Sequence, residues 1–272
     1  KEKWKPYLDY VLKEQEWLKE HQEQELKEIR SKDGLTLRAA YIPRENAKGT
    51  IICMHGYHST NDIEFVPEVR FLWNLGYSIL LPWQRSHGKS EGRYITYGVK
   101  ERHDLKRWIL YTNRHLAAKN KDIFLCGISM GCATTLMAAG LDLPDNVKGI
   151  IADCGFTSPW DIIKYVAKER FHLPPFPLMY MVDLISEVVA GFGLKEVSIP
   201  EIMKRNKIPV LFIHGDADDY VPMWMTIKNY EACAAKKELY IVSGAGHALA
   251  FSKDMEEGKR RIKNFIDKYK TI

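Results

Sequence analysis

Three short stretches hold residues whose types can do chemistry together. "GISMG" sets Ser129 between Gly127 and Gly131, "HGDADDYVP" clusters Asp216, Asp218 and Asp219, and "SGAGHALAF" carries His247. A serine hydroxyl barely ionises near neutral pH. It becomes a nucleophile when a base lies within hydrogen-bond reach and a carboxylate orients that base. The chain order Ser129, then aspartate, then His247 suits such a relay. Asp218 is favoured as the acid because it lies just before Val221-Pro222, where a side chain can turn back towards His247. Asp216 is the alternative, as a turn brace or as the acid, and Asp153 is the outside candidate. A tetrahedral intermediate also needs two N–H donors, expected from Met130, which follows the serine, and from Tyr57 in "HGYHSTND".

Those residues need strands and tight turns to hold them. "DIFLCGISMGCATTLMAA" reads as an apolar strand, a turn at Ser129 and an immediate helix, the context in which a G-x-S-x-G pattern gains meaning. "GTIICM", "YSILLP", "VKGIIAD", "IPVLFIHG" and "KELYIVSG" are further candidate buried strands, alternating with helical stretches such as 61–75, 98–118 and 130–141. The pair Asp33-Gly34 marks a hairpin ahead of them. The pattern predicts an α/β fold with a mostly parallel sheet covered on both faces. Residues 1–22 read as an amphipathic helix, with Trp4, Leu8, Val11, Leu12 and Leu18 on one stripe, and 23–272 as the main domain. Some fifty residues, about 157–206, interrupt the rhythm with Pro, Met and aromatics, and predict a helical cap over the sheet's carboxyl edge. Trp83, Phe156, Trp160 and Trp224 are expected to line an apolar substrate pocket near that edge.

Composition narrows the function classes. The 272 residues carry 40 basic and 35 acidic side chains, a net +5 without a run of like charge, so no nucleic-acid partner is expected. Five cysteines without C-x-x-C spacing give neither a zinc site nor a disulfide framework. "PWQRSHGKSEG" lacks the spacing of a phosphate loop, so nucleotide binding is discarded, and neither a metal nor another cofactor is expected. There Arg85 and His87 read as structural hydrogen-bonders, and His58 as a solvated loop residue. The chain starts at Lys1 rather than methionine, so membrane association is expected only through a segment preceding it.

"HGYHSTND", "QRSHGKSEG", "GISMG", "HGDADDYVP" and "GAGHALAF", in this order, resemble the α/β-hydrolase superfamily, and within it the serine hydrolases of the BEM46-like group, bacterial members in particular. The likeness runs from about Asp33 to the C-terminus and leaves the N-terminal helix outside. It implies an eight-stranded, mostly parallel sheet with a cap, Ser129 as nucleophile, Asp218 as acid, His247 as base, and an oxyanion hole from Tyr57 and Met130. Many relatives carry Asp and Gly where this chain has Trp83 and Ser86, which alters the shape of that loop. The expected activity is cofactor-free hydrolysis of small carboxylic esters, of short acyl or aromatic acids. Amide, peptide, thioester and lipid hydrolysis are alternatives, as is a silent ligand-binding protein. A dehalogenase or epoxide hydrolase needs a carboxylate at position 129, and a prolyl peptidase reading lacks a propeller domain.

Overall fold

A computed structural model describes residues 5–22, 25–116 and 121–271. Eight strands form one sheet: β1 Leu26–Arg30, β2 Thr36–Ile42, β3 Gly49–Met54, β4 Ser78–Pro82, β5 Asp122–Ile128, β6 Val147–Asp153, β7 Val210–Gly215 and β8 Lys237–Val242. Their order is β1-β2-β4-β3-β5-β6-β7-β8. Only β2 runs against its neighbours β1 and β4, and the rest pair in parallel. The hairpin turns at Gly34, whose φ of 88° an L side chain rarely adopts.

Eleven helices follow the described chain: α1 Lys5–Gln22, α2 Asn61–Glu64, α3 Val66–Asn74, α4 Glu101–His115, α5 Met130–Ala138, α6 Pro159–Glu169, α7 Pro175–Ile185, α8 Ile199–Met203, α9 Met223–Ala232, α10 Ala250–Lys253 and α11 Met255–Tyr269. A π-helical turn, Ser186–Ala190, continues α7. Side chains alternate along the strands, so β5 sends Ile123 and Leu125 to one face and Phe124 and Cys126 to the other. Two buried layers result. One lies under α4, α5 and the helices that follow β6, the other under α1, α3, α10 and α11. Every residue of β3 and β5 is buried, as near-continuous apolar runs require in a sheet covered on both faces. The five cysteines are buried free thiols.

α1 packs on α3, but its inward stripe is not the expected one. Leu18 is buried and Val11 partly so, whereas Leu12 is 57% exposed. Trp17, in contact with Trp73, takes the inward position instead, and the Tyr10 hydroxyl donates to Pro67 O at 2.8 Å. Trp4 and the side chain of Leu8 lie outside the described residues. No described helix is long and apolar enough to cross a membrane. The segment between β6 and β7 holds α6, α7, the π-turn and α8.

Candidate active site

β5 ends at Ile128 and α5 begins at Met130, leaving Ser129 alone to reverse the chain. Its φ of 54° and ψ of −116° lie outside the regions a side-chain-bearing residue ordinarily occupies, a strain the flanking packing must hold. The reason for glycine on either side is space. A Cβ on Gly131 would sit 1.8 Å from Met54 O, and one on Gly127 would sit 2.4 Å from Gly131 O. The elbow is also pinned from the next strand, since Ser129 N–H donates to Asp153 O at 2.9 Å. Among the described residues, Ser129 shares positive φ with five other non-glycine residues on nearby loops: His58, Ser86, Tyr97, Cys154 and Ala248.

The structure brings together Ser129, His247 and Asp218. The Ser129 hydroxyl lies 2.9 Å from His247 Nε2, and His247 Nδ1 lies 2.8 Å from Asp218 Oδ2. With the proton on Nδ1, the imidazole donates to the carboxylate and accepts from the serine. The other oxygen, Asp218 Oδ1, accepts the N–H groups of Tyr220 and Val221, each at 2.9 Å, which fixes the carboxylate in place. Burial pushes the Asp218 carboxyl up, yet hydrogen bonds from His214 and His247, with the His247 charge, outweigh it and hold the group well below the usual range. Asp216 faces elsewhere and accepts Gly244 N–H at 2.6 Å. Asp219 is exposed and pairs with Arg170.

His214 is a residue that sequence reasoning missed. It lies one residue before the end of β7, donates Nε2–H to Val221 O at 2.9 Å, and sits 3.3 Å from Asp218 Oδ2. The only clue was its place four residues before Asp218.

The loop after β3 carries Tyr57. Neither its N–H nor that of Met130 has a hydrogen-bond acceptor among the described residues, and both residues line the cavity at Ser129. His55 ties the loop down: Nδ1–H donates to Gly56 O at 2.9 Å, and Nε2 accepts Gln84 N–H at 3.0 Å. The Glu64 carboxylate accepts the N–H of Gly56. Burial raises Glu64 to about 7, opposed by that N–H. Half-buried Glu64 belongs to an acidic group with buried Glu68 and Asp153 behind the elbow. Burial, with repulsion from Asp153 and Glu64, raises Glu68 well above the usual range, and burial, with repulsion from Asp218, raises Asp153 to about 6. Asp153 was named from the sequence only as the outside candidate for the acid, and its grouping with Glu64 and Glu68 was not apparent, because the three come from separate elements.

Farther round the edge, Arg85 forks between two carboxylates, meeting Asp104 at 2.7 and 2.8 Å and Asp33 at 2.9 and 3.1 Å. His87 donates Nδ1–H to Arg85 O and accepts His58 N–H at Nε2.

The cavity at Ser129 measures about 190 Å³ and is walled mainly by Tyr57, Tyr97, Phe156, Ile162, Val166 and Tyr220. Tyr57 stacks on Tyr97 at 5.2 Å, and this pair, with Ile163, separates it from a second cavity of about 540 Å³ that includes His58 and Arg93. Of the four pocket residues expected from sequence, Phe156 alone lines either cavity. Trp83 is buried in the layer on the opposite face of the sheet, under Lys89. Trp160 faces Tyr180 and Lys195 within the cap, and Trp224 is 47% exposed on α9. Apolar character dictated that tryptophan find cover, without saying on which side.

One donor atom each from Cys154, Asp218 and His247 lies within 4.8 Å of the others. This set fits a metal poorly. Asp218 and His247 bind each other, and burial pushes the Cys154 thiol up, so it keeps its proton.

A mostly parallel eight-stranded sheet, helices on both faces and a strand–serine–helix elbow at its carboxyl edge define an α/β hydrolase. Within that class, the chain belongs to the prolyl oligopeptidase family, which it matches over residues 90–271. It is similar to the uncharacterized protein YqkD of Bacillus subtilis, 29% identical over 239 residues that cover 88% of this chain and 78% of that one. Protein bem46 of Schizosaccharomyces pombe is 25% identical over 217 residues, 78% of this chain and 67% of that one, in line with the Bem46-like group expected from the motifs. A solved structure, the Pyrococcus furiosus esterase Pf2001, superposes with a TM-score of 0.73 at 26% identity, covering 91% of this chain and 92% of that one. The chain is therefore a hydrolase of this family. The matched region spans the elbow and the loops of Asp218 and His247.

Proposed function

We propose that the protein is a serine hydrolase that cleaves carboxylic esters of short acyl or aromatic acids through an acyl-enzyme on Ser129. The observation that carries this reading is the hydrogen-bonded chain from Ser129 through His247 to Asp218, with the serine at the wall of an apolar cavity. His247 Nε2 takes the hydroxyl proton as Ser129 Oγ attacks the carbonyl carbon. Asp218 holds the imidazole in its tautomer and stabilises the imidazolium. The N–H groups of Met130 and Tyr57 receive the oxyanion, and each such donor is worth about 10²–10³ in rate. His247 then returns the proton to the departing alcohol, and water repeats the sequence on the acyl group. The acyl part fits the cavity bounded by Phe156 and Val166, and the alcohol part extends past the Tyr57–Tyr97 pair. The resemblance to an esterase supports the same substrate class.

Family membership favours a second reading, cleavage of peptides or amides, because the same relay serves both leaving groups. Competition decides between them. Purified protein is offered a p-nitrophenyl ester series from acetate to palmitate beside p-nitroanilides of peptides ending in proline. The ester reading expects kcat/KM to favour short esters, with all turnover lost in Ser129→Ala. Preferential anilide cleavage overturns it.

A further inference from the structure

α7 and the π-turn that continues it run from Pro175 to Ala190 with a break at Phe176, and their side chains are mostly apolar towards both the body and solvent. Met179 is buried against the body, and Asp183 faces back to accept Leu194 N–H at 2.7 Å. The outward face carries Tyr180, Met181, Leu184, Ile185, Val188 and Val189, each between 53% and 76% exposed. Glu187 is the exposed charge among them, and a contiguous run of exposed apolar side chains of this kind marks an interaction surface.

We propose that this face docks on a bilayer of zwitterionic phospholipid. Two observations select that occupant. First, the face runs on into Phe171 and Leu173, which are 66% and 45% exposed and also line the Ser129 cavity. A protein seated there would close the cavity mouth, whereas a lipid surface leaves it facing a phase into which apolar esters partition. Second, residues 157–206 carry six basic and six acidic side chains, so the cap has no net charge to favour an anionic surface or an oppositely charged partner. An interfacial helix needs only to sink its apolar face into the boundary between headgroups and acyl chains. What the cavity receives rests on the ester-hydrolase reading; the docking itself does not.

The test is co-sedimentation of the full chain with phosphatidylcholine vesicles at 0.1 and 0.5 M NaCl, beside turnover of p-nitrophenyl butyrate without vesicles. The wild type is expected to partition equally at both salt concentrations. Leu184→Glu/Val188→Glu should bind at least tenfold more weakly, with unchanged butyrate turnover and thermal melt. Val188→Lys alone, at the most exposed position, should show an intermediate loss and serves if the double variant misfolds. Wild-type protein that stays in the supernatant, or variants that sediment like it, would overturn the proposal. So would wild-type dimers that the double variant dissolves in the absence of partitioning, which would assign the face to a second copy. Vesicle binding without ester turnover would retain the docking and remove the ester reading.

Discussion

Replacing Asp153 by asparagine separates two carboxyls that both approach the elbow. Asp153 is wholly buried, and its Oδ1 has no hydrogen-bond partner among the described residues. Burial, with repulsion from Asp218, lifts it from 3.8 to about 6 against the pull of His214 and His247. The unfolded chain therefore releases this proton near pH 4 and the folded chain only near pH 6, so stability falls as pH rises through that window. The full displacement corresponds to about 3 kcal/mol, of which about 2 kcal/mol develops between pH 4.5 and 7.5. Asparagine does not titrate. Urea unfolding of wild type and Asp153→Asn at those two pH values should show the difference moving by about 2 kcal/mol in the variant's favour at the higher pH. Ester turnover by Asp153→Asn should stay within several-fold of wild type, whereas Asp218→Asn should lose about 10⁴-fold, the scale set by a wrong imidazole tautomer. An unfolding difference that does not move with pH would refute the buried-proton argument. Equal loss of turnover in the two variants would refute the assignment of Asp218 as the orienting acid.

Three further outcomes follow from packing. Gly131→Ala places a methyl 1.8 Å from Met54 O, backbone against side chain with no flexible atom to yield, so α5 must shift. Thermal unfolding should register a loss of more than about 2 kcal/mol, with turnover down about 10²-fold as the Met130 donor moves. Arg85→Met strands the buried Asp104 carboxylate and should cost about 3–5 kcal/mol by urea titration, much of it restored in Arg85→Met/Asp104→Leu. Val166→Trp fills the cavity at Ser129, and the preferred p-nitrophenyl ester should become shorter while acetate turnover persists.

The fold and the elbow were legible because their signals are local. Apolar runs alternating with helical stretches specify a covered parallel sheet, and a serine between glycines at a strand end specifies a turn that only close backbone approach explains. The choice among Asp216, Asp218 and Asp219 was less legible, since three side chains within four residues differ only in where the turn aims them. Capping of Tyr220 and Val221 N–H aims Asp218, while Gly244 N–H draws Asp216 away. The group of Glu64, Glu68 and Asp153 was invisible because α2, α3 and β6 meet only in three dimensions. The expected pocket tryptophans failed for a related reason. Hydrophobicity predicts that Trp83 is buried, but the sheet's alternation, one residue out, decides which layer receives it.

The central claim is that Ser129 becomes acylated. Rapid mixing with p-nitrophenyl butyrate, an acid quench and peptide mass spectrometry would test it directly. A butyryl group is expected on the peptide containing Ser129, at up to one per chain, and none in Ser129→Ala. Rapid p-nitrophenol release with Ser129 unmodified at every quench time, or undiminished turnover by Ser129→Ala, would contradict it.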